Sequence, residues 1–297
     1  MLVSLAGVVS LSFLLLHMVP GDPIDLILGE QAAELDKQRL RHVLGLDQPL
    51  LTQYIHYLSK LSTFDLGRSL RTRFPVYREI VDHFPATLEL ALASLSLALL
   101  WGLPLGVWSA VGAYTWRDRI ATTISLLGMS IPGVFLGPLL IYIFAMVLEW
   151  LPVSDRGDLA HLILPSFSLA LPLGAVITRM TRAAVLDVLR EDFMRTARAK
   201  GVGDFALYFK HALRNALVPI VTIVGLQLGA LLTGTVITET IFDWPGIGML
   251  LFGAIQGRDY PLVQGCVLFV ACIYVLVNLL TDLMYGVVNP RVRSLGA

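Results

Sequence analysis

The stretch REDFMRTARAKGVGDFALYFKHALRNALVP, Arg190 to Pro219, decides how this chain is read. It is polar and lies between two strongly apolar runs. Glu191, Asp192, Arg195, Arg198, Lys200, Lys210 and Arg214 would each cost about 2.5–3.5 kcal/mol at the centre of a membrane helix. The stretch therefore stands in water, and it is too short and too poor in apolar residues to be a catalytic domain. Its pattern is helix, break, helix. Asp192 to Lys200 is a good helix former, with Arg198 and Lys200 in the last turn, where cations suit the helix dipole. Gly201 follows as a residue that can take positive φ and close the helix. A second amphipathic piece runs from Phe205 to Asn215. Two readings fit: a solvated hairpin, or a docking knob. In the second, small residues at Ala197 and Gly201 let a partner approach while the arginines pair with acidic groups.

The rest of the chain is membrane protein. It has 297 residues, 56% hydrophobic and 15% charged, with mean hydropathy +0.74. Soluble domains carry about 25% charged residues. The formal charge is zero, so there is no nucleic-acid footprint. Six apolar runs are expected to span: Met1–Val19, Ala86–Ala113, Ile120–Leu148, Leu159–Thr178, Ala216–Thr238 and Leu262–Val288. About 20 residues at 1.5 Å rise cross a 30 Å core, and helices satisfy their own backbone groups there. The first run lacks a basic leader and an A-x-A cleavage site, so it reads as a span and not a removed signal. The third contains Pro132 and Pro138 with Gly128, Gly133 and Gly137 nearby, so a kink is expected there. The expected class is an all-α integral membrane protein. Its divisions are a first span (1–19), a long extracytoplasmic loop (20–85), a five-span core (86–288) carrying a cytoplasmic coupling segment (190–215) between spans four and five, and a tail (289–297).

Orientation follows from basic residues in short loops. With both termini cytoplasmic, segments 114–119, 179–215 and 289–297 are inside and hold twelve Lys and Arg; the short outside loops hold only Arg156 and Arg258. Residues 21–85 carry eight more, but a loop that long escapes the rule. That loop opens with Gly21-Asp22-Pro23 and contains Leu44 to Leu50, Gln53 to Leu58 and Asp65 to Leu70. Leu46, Leu50, Tyr54 and Leu58 recur at helical spacing, which predicts short amphipathic helices. They form a cap on the bundle, a docking surface for a binding protein, or both.

Catalytic chemistry has no foothold. There is no G-x-x-x-x-G-K-[ST], and Gly201-Val202-Gly203 leads into Asp204 instead of a phosphate-cradling Lys-Ser. ATP, if it drives this protein, binds another chain. Gly128-Met129-Ser130-Ile131-Pro132-Gly133 lacks the spacing and the partner histidine of a nucleophile elbow. Cys266 and Cys272 have no metal spacing and point apart on one helix, and His211 reads as a helix-surface or interface residue and not as a metal ligand. Intramembrane polar residues Gln227, Thr233, Thr235, Asn278 and Asp282 admit two explanations: close helix packing beside glycines, or, for Gln227, Thr233 and Thr235, the lining of a passage. Asp282 can pair with Arg291 or Arg293. Phe242 and Trp244, beside Pro245 and Gly246, read as an interfacial aromatic anchor.

Three strings carry a resemblance. Arg195-Thr196-Ala197-Arg198-Ala199-Lys200-Gly201 with His211-Ala212-Leu213-Arg214-Asn215-Ala216-Leu217-Val218-Pro219 resembles the coupling segment of bacterial ABC importer membrane subunits. Phe84 to Leu90 (FPATLEL), and Glu239 to Gly248 with Arg258 to Gly265, resemble the dipeptide/oligopeptide/nickel permease branch. The general importer pattern has Glu-Ala-Ala where this chain has Arg195-Thr196-Ala197, and its proline falls earlier than Pro219; both departures resemble the peptide/nickel variant. Relatives begin with a few arginine-rich residues, whose absence leads to the expectation of a start upstream of Met1.

The resemblance implies a permease subunit of the bacterial inner membrane, importing short peptides. The rival cargo is nickel or a nickel chelate, and a rival of another class is a secondary carrier. It implies as partners a second homologous permease, two cytoplasmic ATPases that use ATP and Mg, an extracytoplasmic binding protein and membrane lipid. This chain itself binds no cofactor or metal. It implies ATPase coupling through Arg195, Thr196, Ala197, Arg198, Ala199, Lys200, Gly201 and His211, and binding-protein docking through Asp243, Trp244, Arg258 and Asp259.

Overall fold

A computed structural model describes residues 2–18, 24, 33–43, 47–63 and 65–288. These described residues are helical almost throughout. In chain order the helices are α1 (Leu2–Met18), α2 (Glu34–Val43), α3 (Leu50–Ser62), α4 (Val76–Val111), α5 (Trp116–Ser130), α6 (Gly133–Leu140), α7 (Leu159–Leu189), α8 (Asp192–Ala199), α9 (Leu213–Asn215), α10 (Leu217–Gly234), α11 (Val236–Ile241), α12 (Ile247–Gln256) and α13 (Tyr260–Val288). Wide π-helical coils at Ile141–Val147 and Ala206–Ala212 extend α6 and precede α9.

Among the described residues, three helices are long and apolar enough to cross a membrane: α4, α7 and α13 up to Met284. Two bent pairs raise the number to as many as five. The multi-pass character therefore stands, while the six-span count remains an expectation. The third apolar run is not one rod. It breaks by 96° between Trp116–Ser130 and Gly133–Val147. The break falls at Ile131–Pro132, whose extended backbone (ψ 116 and 136) starts α6 afresh; Pro138 lies inside α6. The fifth run bends by 66° where it leaves the coupling segment. The last ten residues expected in the long loop are already the first turns of α4. Gly21-Asp22-Pro23, Leu44–Leu46 and the 289–297 tail, with Arg291 and Arg293, lie outside the described residues.

The chain divides into two compact units, 1–85 with 246–275, and 86–245 with 276–297. In the first, Val76, Ile80, Ile247, Ala254, Leu262 and Cys266 form a buried core. The helical spacing of Leu50, Tyr54 and Leu58 is realised in α3, and α2 is a further helix of the loop that this spacing does not mark. Helix α3 is tied to α1: Tyr54 and Tyr57 hydrogen-bond Ser10 and Ser12 at 2.7 and 3.0 Å and pack on Phe13.

In the second unit, α4 and α7 cross closely. A Cβ added at Gly106 would lie 2.6 Å from Thr181, and one at Gly174 would lie 2.2 Å from the Trp101 ring. Small residues let these backbones approach where side chains would hold them apart. Pro165 and Pro172 sit inside α7 without ending it, as membrane helices tolerate when neighbours re-satisfy freed groups. Asp158 caps α7, accepting from the Ala160 N–H at 3.0 Å. A hydrogen bond with His161, with that N–H, holds its carboxyl below the usual range.

Candidate functional site: the coupling elbow and the buried polar lock

Helix α8 is built as the sequence predicts. Asp192 lies in its first turn and Arg198 in its last, each suiting its end of the helix dipole. Gly201 takes φ +75. Its N–H donates to the Arg198 carbonyl at 2.9 Å, and the Val202 N–H reaches back to Ala197 at 3.2 Å. These two bonds form a Schellman cap, which absorbs the last free carbonyls. Nothing lies within 4 Å of where a Gly201 Cβ would be, so glycine is needed here for its backbone and not for space.

Met194 alone among Asp192–Ala199 is fully buried, at 0% exposure. It enters a core with Val107 and Ala110 of α4, Val185 of α7, and Leu207, Ala212, Ala216 and Ile220; Ala197 and Val202 pack against it half-buried. Arg195, Thr196, Arg198, Ala199, Lys200 and Gly201 form the exposed side. The Arg195–Asp192 pair, at 3.6 Å, is fully solvated on that side and contributes about 0–1 kcal/mol. His211 is half-buried, its carbonyl accepting from Asn215 at 2.7 Å. Beside it stands an aromatic pair that the sequence reading did not single out. Phe205 is 77% exposed and stacks on Phe209, with centroids 4.9 Å apart. Exposed phenylalanine is among the residues enriched at protein–protein interfaces.

The three pathway candidates separate. Gln227 is half-buried; Thr233 is exposed, its hydroxyl turned back to the Gly229 and Ala230 carbonyls at 3.1 Å. Thr235 is buried and donates to Glu239 at 2.8 Å. Glu239, read in the sequence as the start of an outer loop, is 0% exposed and also accepts from Thr87 of α4 at 2.8 Å. Five residues on, the Trp244 N–H donates to the Glu239 carbonyl, and its indole N–H to the Ala86 carbonyl, both at 2.8 Å. Phe242 and Trp244 are thus core residues, at 2% and 1% exposure, and not the membrane-interface anchor expected. The indole hydrogen bond holds Trp244 inward against Ala86 and Leu90, and Leu136, Leu140 and Leu164 enclose Phe242. Of the docking candidates, Asp243 and Arg258 are exposed, and Trp244 and Asp259 are buried. Asp259 accepts from the Ser69 hydroxyl and from the N–H of Arg71 and Leu262, fastening the loop before α4 and the start of α13.

Among the described residues no group of His, Cys, Asp and Glu could hold a metal ion. The ensemble is a multi-pass membrane subunit with a cationic, one-sidedly anchored helical elbow, the build of a transport component. The chain belongs to the family of binding-protein-dependent transport system inner membrane components, whose model matches residues 102–294, while the companion N-terminal model matches 1–91. It is therefore a permease subunit of a binding-protein-dependent ABC importer, and the resemblance read from its motifs holds. Such permeases bind no nucleotide, and hydrolysis belongs to separate ATPase subunits.

The glutathione transport system permease protein GsiC of Escherichia coli (strain K12) is 44% identical over 95% of this chain and 92% of its own. The di/tripeptide transport system permease protein DppB of Pseudomonas aeruginosa (strain UCBPP-PA14) is 45% identical over 97% of this chain and 94% of its own. Among solved structures, the inward-facing MetNI methionine ABC transporter shares the fold, with TM-score 0.61 at 19% identity, over 71% of this chain and 96% of that one.

Proposed function

We propose that this permease imports short peptides, the glutathione-like tripeptide class included, and takes its driving motion from an ATPase pair docked on α8. The observation that carries the coupling half is the two-sidedness of α8: Met194 is sunk in the core, while Arg195, Thr196, Arg198 and Lys200 face outward. A merely solvated hairpin needs no such root. The cargo half is supported by the glutathione and di/tripeptide names of the relatives, which favour peptides over nickel or a nickel chelate. A self-sufficient secondary carrier sits poorly with a family that depends on binding proteins.

In this reading both termini and the elbow are cytoplasmic, a second homologous permease completes the passage, and a binding protein delivers cargo to exposed residues such as Asp243 and Arg258. ATP closes the ATPase dimer, α8 is displaced as a lever, and the passage changes its open side. Driving such a balance from 1:99 to 99:1 takes about 5.5 kcal/mol. The outward-facing residues of α8, with the Phe205–Phe209 stack, supply the grip.

The test is reconstitution of the whole transporter in liposomes, with uptake of glutathione, a dipeptide and nickel measured in parallel. Cysteines at 195–200 are crosslinked to the ATPases in the same preparations. Peptide uptake with efficient crosslinking is expected. Nickel uptake alone would overturn the cargo reading, and absent crosslinks in intact complexes would overturn the coupling reading.

A further inference from the structure

We infer that Asp118 and Arg182 form a strut that makes α5 and α7 one rigid arm with the coupling elbow, so that the stroke is delivered to the 131–132 break. Arg182 grips Asp118 with both ends of its fork: Nε to Oδ1 at 2.6 Å and Nη2 to Oδ2 at 2.7 Å. The Ser109 hydroxyl of α4 donates to Oδ1 at 2.7 Å, and the Tyr114 N–H, in the turn between α4 and α5, to Oδ2 at 2.9 Å. Asp118 is 6% exposed. A carboxylate so enclosed, with four donor atoms from three places in the chain, has one geometry. Bidentate, charge-assisted pairs fix direction as well as distance.

The place of the strut gives it a task beyond packing. Arg182 lies one turn before Val185, which shares the buried core with Met194 of the elbow. Asp118 lies in the first turn of α5. At the other end of α5, a Gly128 Cβ would stand 3.3 Å from Ala175 and from the Leu171 carbonyl of α7. Helix α5 thus packs along α7 from the strut to the Gly128 contact, and just past that contact comes the 96° break. Fifteen residues make a lever of about 22 Å. A tilt of about 5° at the strut would move the break by about 2 Å over that length. Without the strut, α5 could pivot at Gly128 and the elbow's motion would be dissipated before reaching the break. Asp118 and Arg182 are in this sense positioning residues for transport.

The inference takes its input from the coupling reading above, so the test has an arm that does not depend on that reading. In the assembled transporter, with Cys266 and Cys272 replaced by serine, spin labels go on Ile120, at the strut end of α5, and Ala183 of α7. Their separation should stay within about 2 Å, the scale of ordinary helix shifts, between nucleotide-free and ATP-trapped states. Labels at Leu127 and Tyr142, across the break, should change theirs by more. A larger change between 120 and 183 overturns the rigid arm, whatever the ATPases touch. Loss of the 195–200 crosslinks, by contrast, would remove the coupling reading and leave this distance result standing.

In the coupling arm, Asp118→Asn and Arg182→Met should lower cargo moved per ATP hydrolysed by about tenfold, within the usual range of coupling between sites. The charge-swapped Asp118→Arg/Arg182→Asp pair should restore part of it. An unchanged ratio in assembled single variants overturns the strut. Should the single variants fail to assemble, Asp118→Cys/Arg182→Cys bridged by a short bis-thiosulfonate reagent decides. Bridging should raise the ratio above the unbridged form, and no rise overturns the strut.

Discussion

Substitutions at Gly201 isolate the helix cap from everything else in the elbow. With φ at +75 and no atom within 4 Å of a new Cβ, Gly201→Ala adds no clash; its whole cost is left-handed backbone, about 1–2 kcal/mol. Asparagine tolerates that conformation better and should cost less. Proline cannot reach it, its φ being held near −65°. It also deletes the N–H bonded to the Arg198 carbonyl at 2.9 Å, worth about 0.5–1.5 kcal/mol net, so the cap is lost outright. The series Gly, Asn, Ala, Pro is thus ordered by backbone alone. Hydrogen exchange at the Val202 amide, which closes the second cap bond, reads the cap directly. Opening should rise by about 5–30-fold for Ala, less for Asn and most for Pro. Cargo moved per ATP should fall in the same order. Equal protection in the Ala and Gly forms, or full coupling in the Pro form, would refute the assignment of the cap to the working elbow.

Three further outcomes follow from buried contacts. Met194→Ala removes the root of α8 and should destabilise the local core by about 2–5 kcal/mol, read as a lowered melting temperature of the purified complex, with Met194→Leu close to the parent. Glu239→Leu takes an acceptor from the buried Thr87 and Thr235 hydroxyls, at about 1–3 kcal/mol each. Glu239→Gln keeps an acceptor oxygen and should melt measurably higher than the Leu form. Gly174→Ala places a methyl 2.2 Å from the Trp101 ring, an overpacking of about 1–3 kcal/mol or more. Trp101→Leu in the same chain should return most of the lost yield of folded complex.

What could be read from residues in order was whatever depends on neighbours in order. Charges between Arg190 and Arg214 mark the elbow, Gly201 its end, and the prolines and glycines of the third run a weak point, because each acts through its own backbone or its own solvation. The grip of Arg182 on Asp118 joins residues 64 apart, and in sequence order Arg182 is one inside cation among twelve while nothing marks Asp118. Glu239 stood next to an aromatic, proline-glycine turn and was read as loop. Its burial comes from Thr87, 152 residues away. Trp244 was misread for the same reason: a tryptophan near the end of an apolar run fits the membrane boundary by composition, and only the distant Ala86 carbonyl draws it inside. The break was foreseen as a kink, but its size and its seat at 131–132 depend on where α5 meets α7.

The α4–α7 crossing limits what kind of stroke the subunit can make. Gly102 and Gly106 sit on Gly174, Ile177, Thr178 and Thr181 with no room for even a methyl group. Sliding either helix lengthwise by one turn would drive Trp101 or Val107 into that seat. Opening the pair like scissors about the seat moves the ends while the contact point stays still, against the resistance of the Val107–Ala110–Val185 core beyond it. The low-cost motion is therefore rotation about a fixed fulcrum, and a small angular input at one membrane face reappears, reversed in sense, at the other.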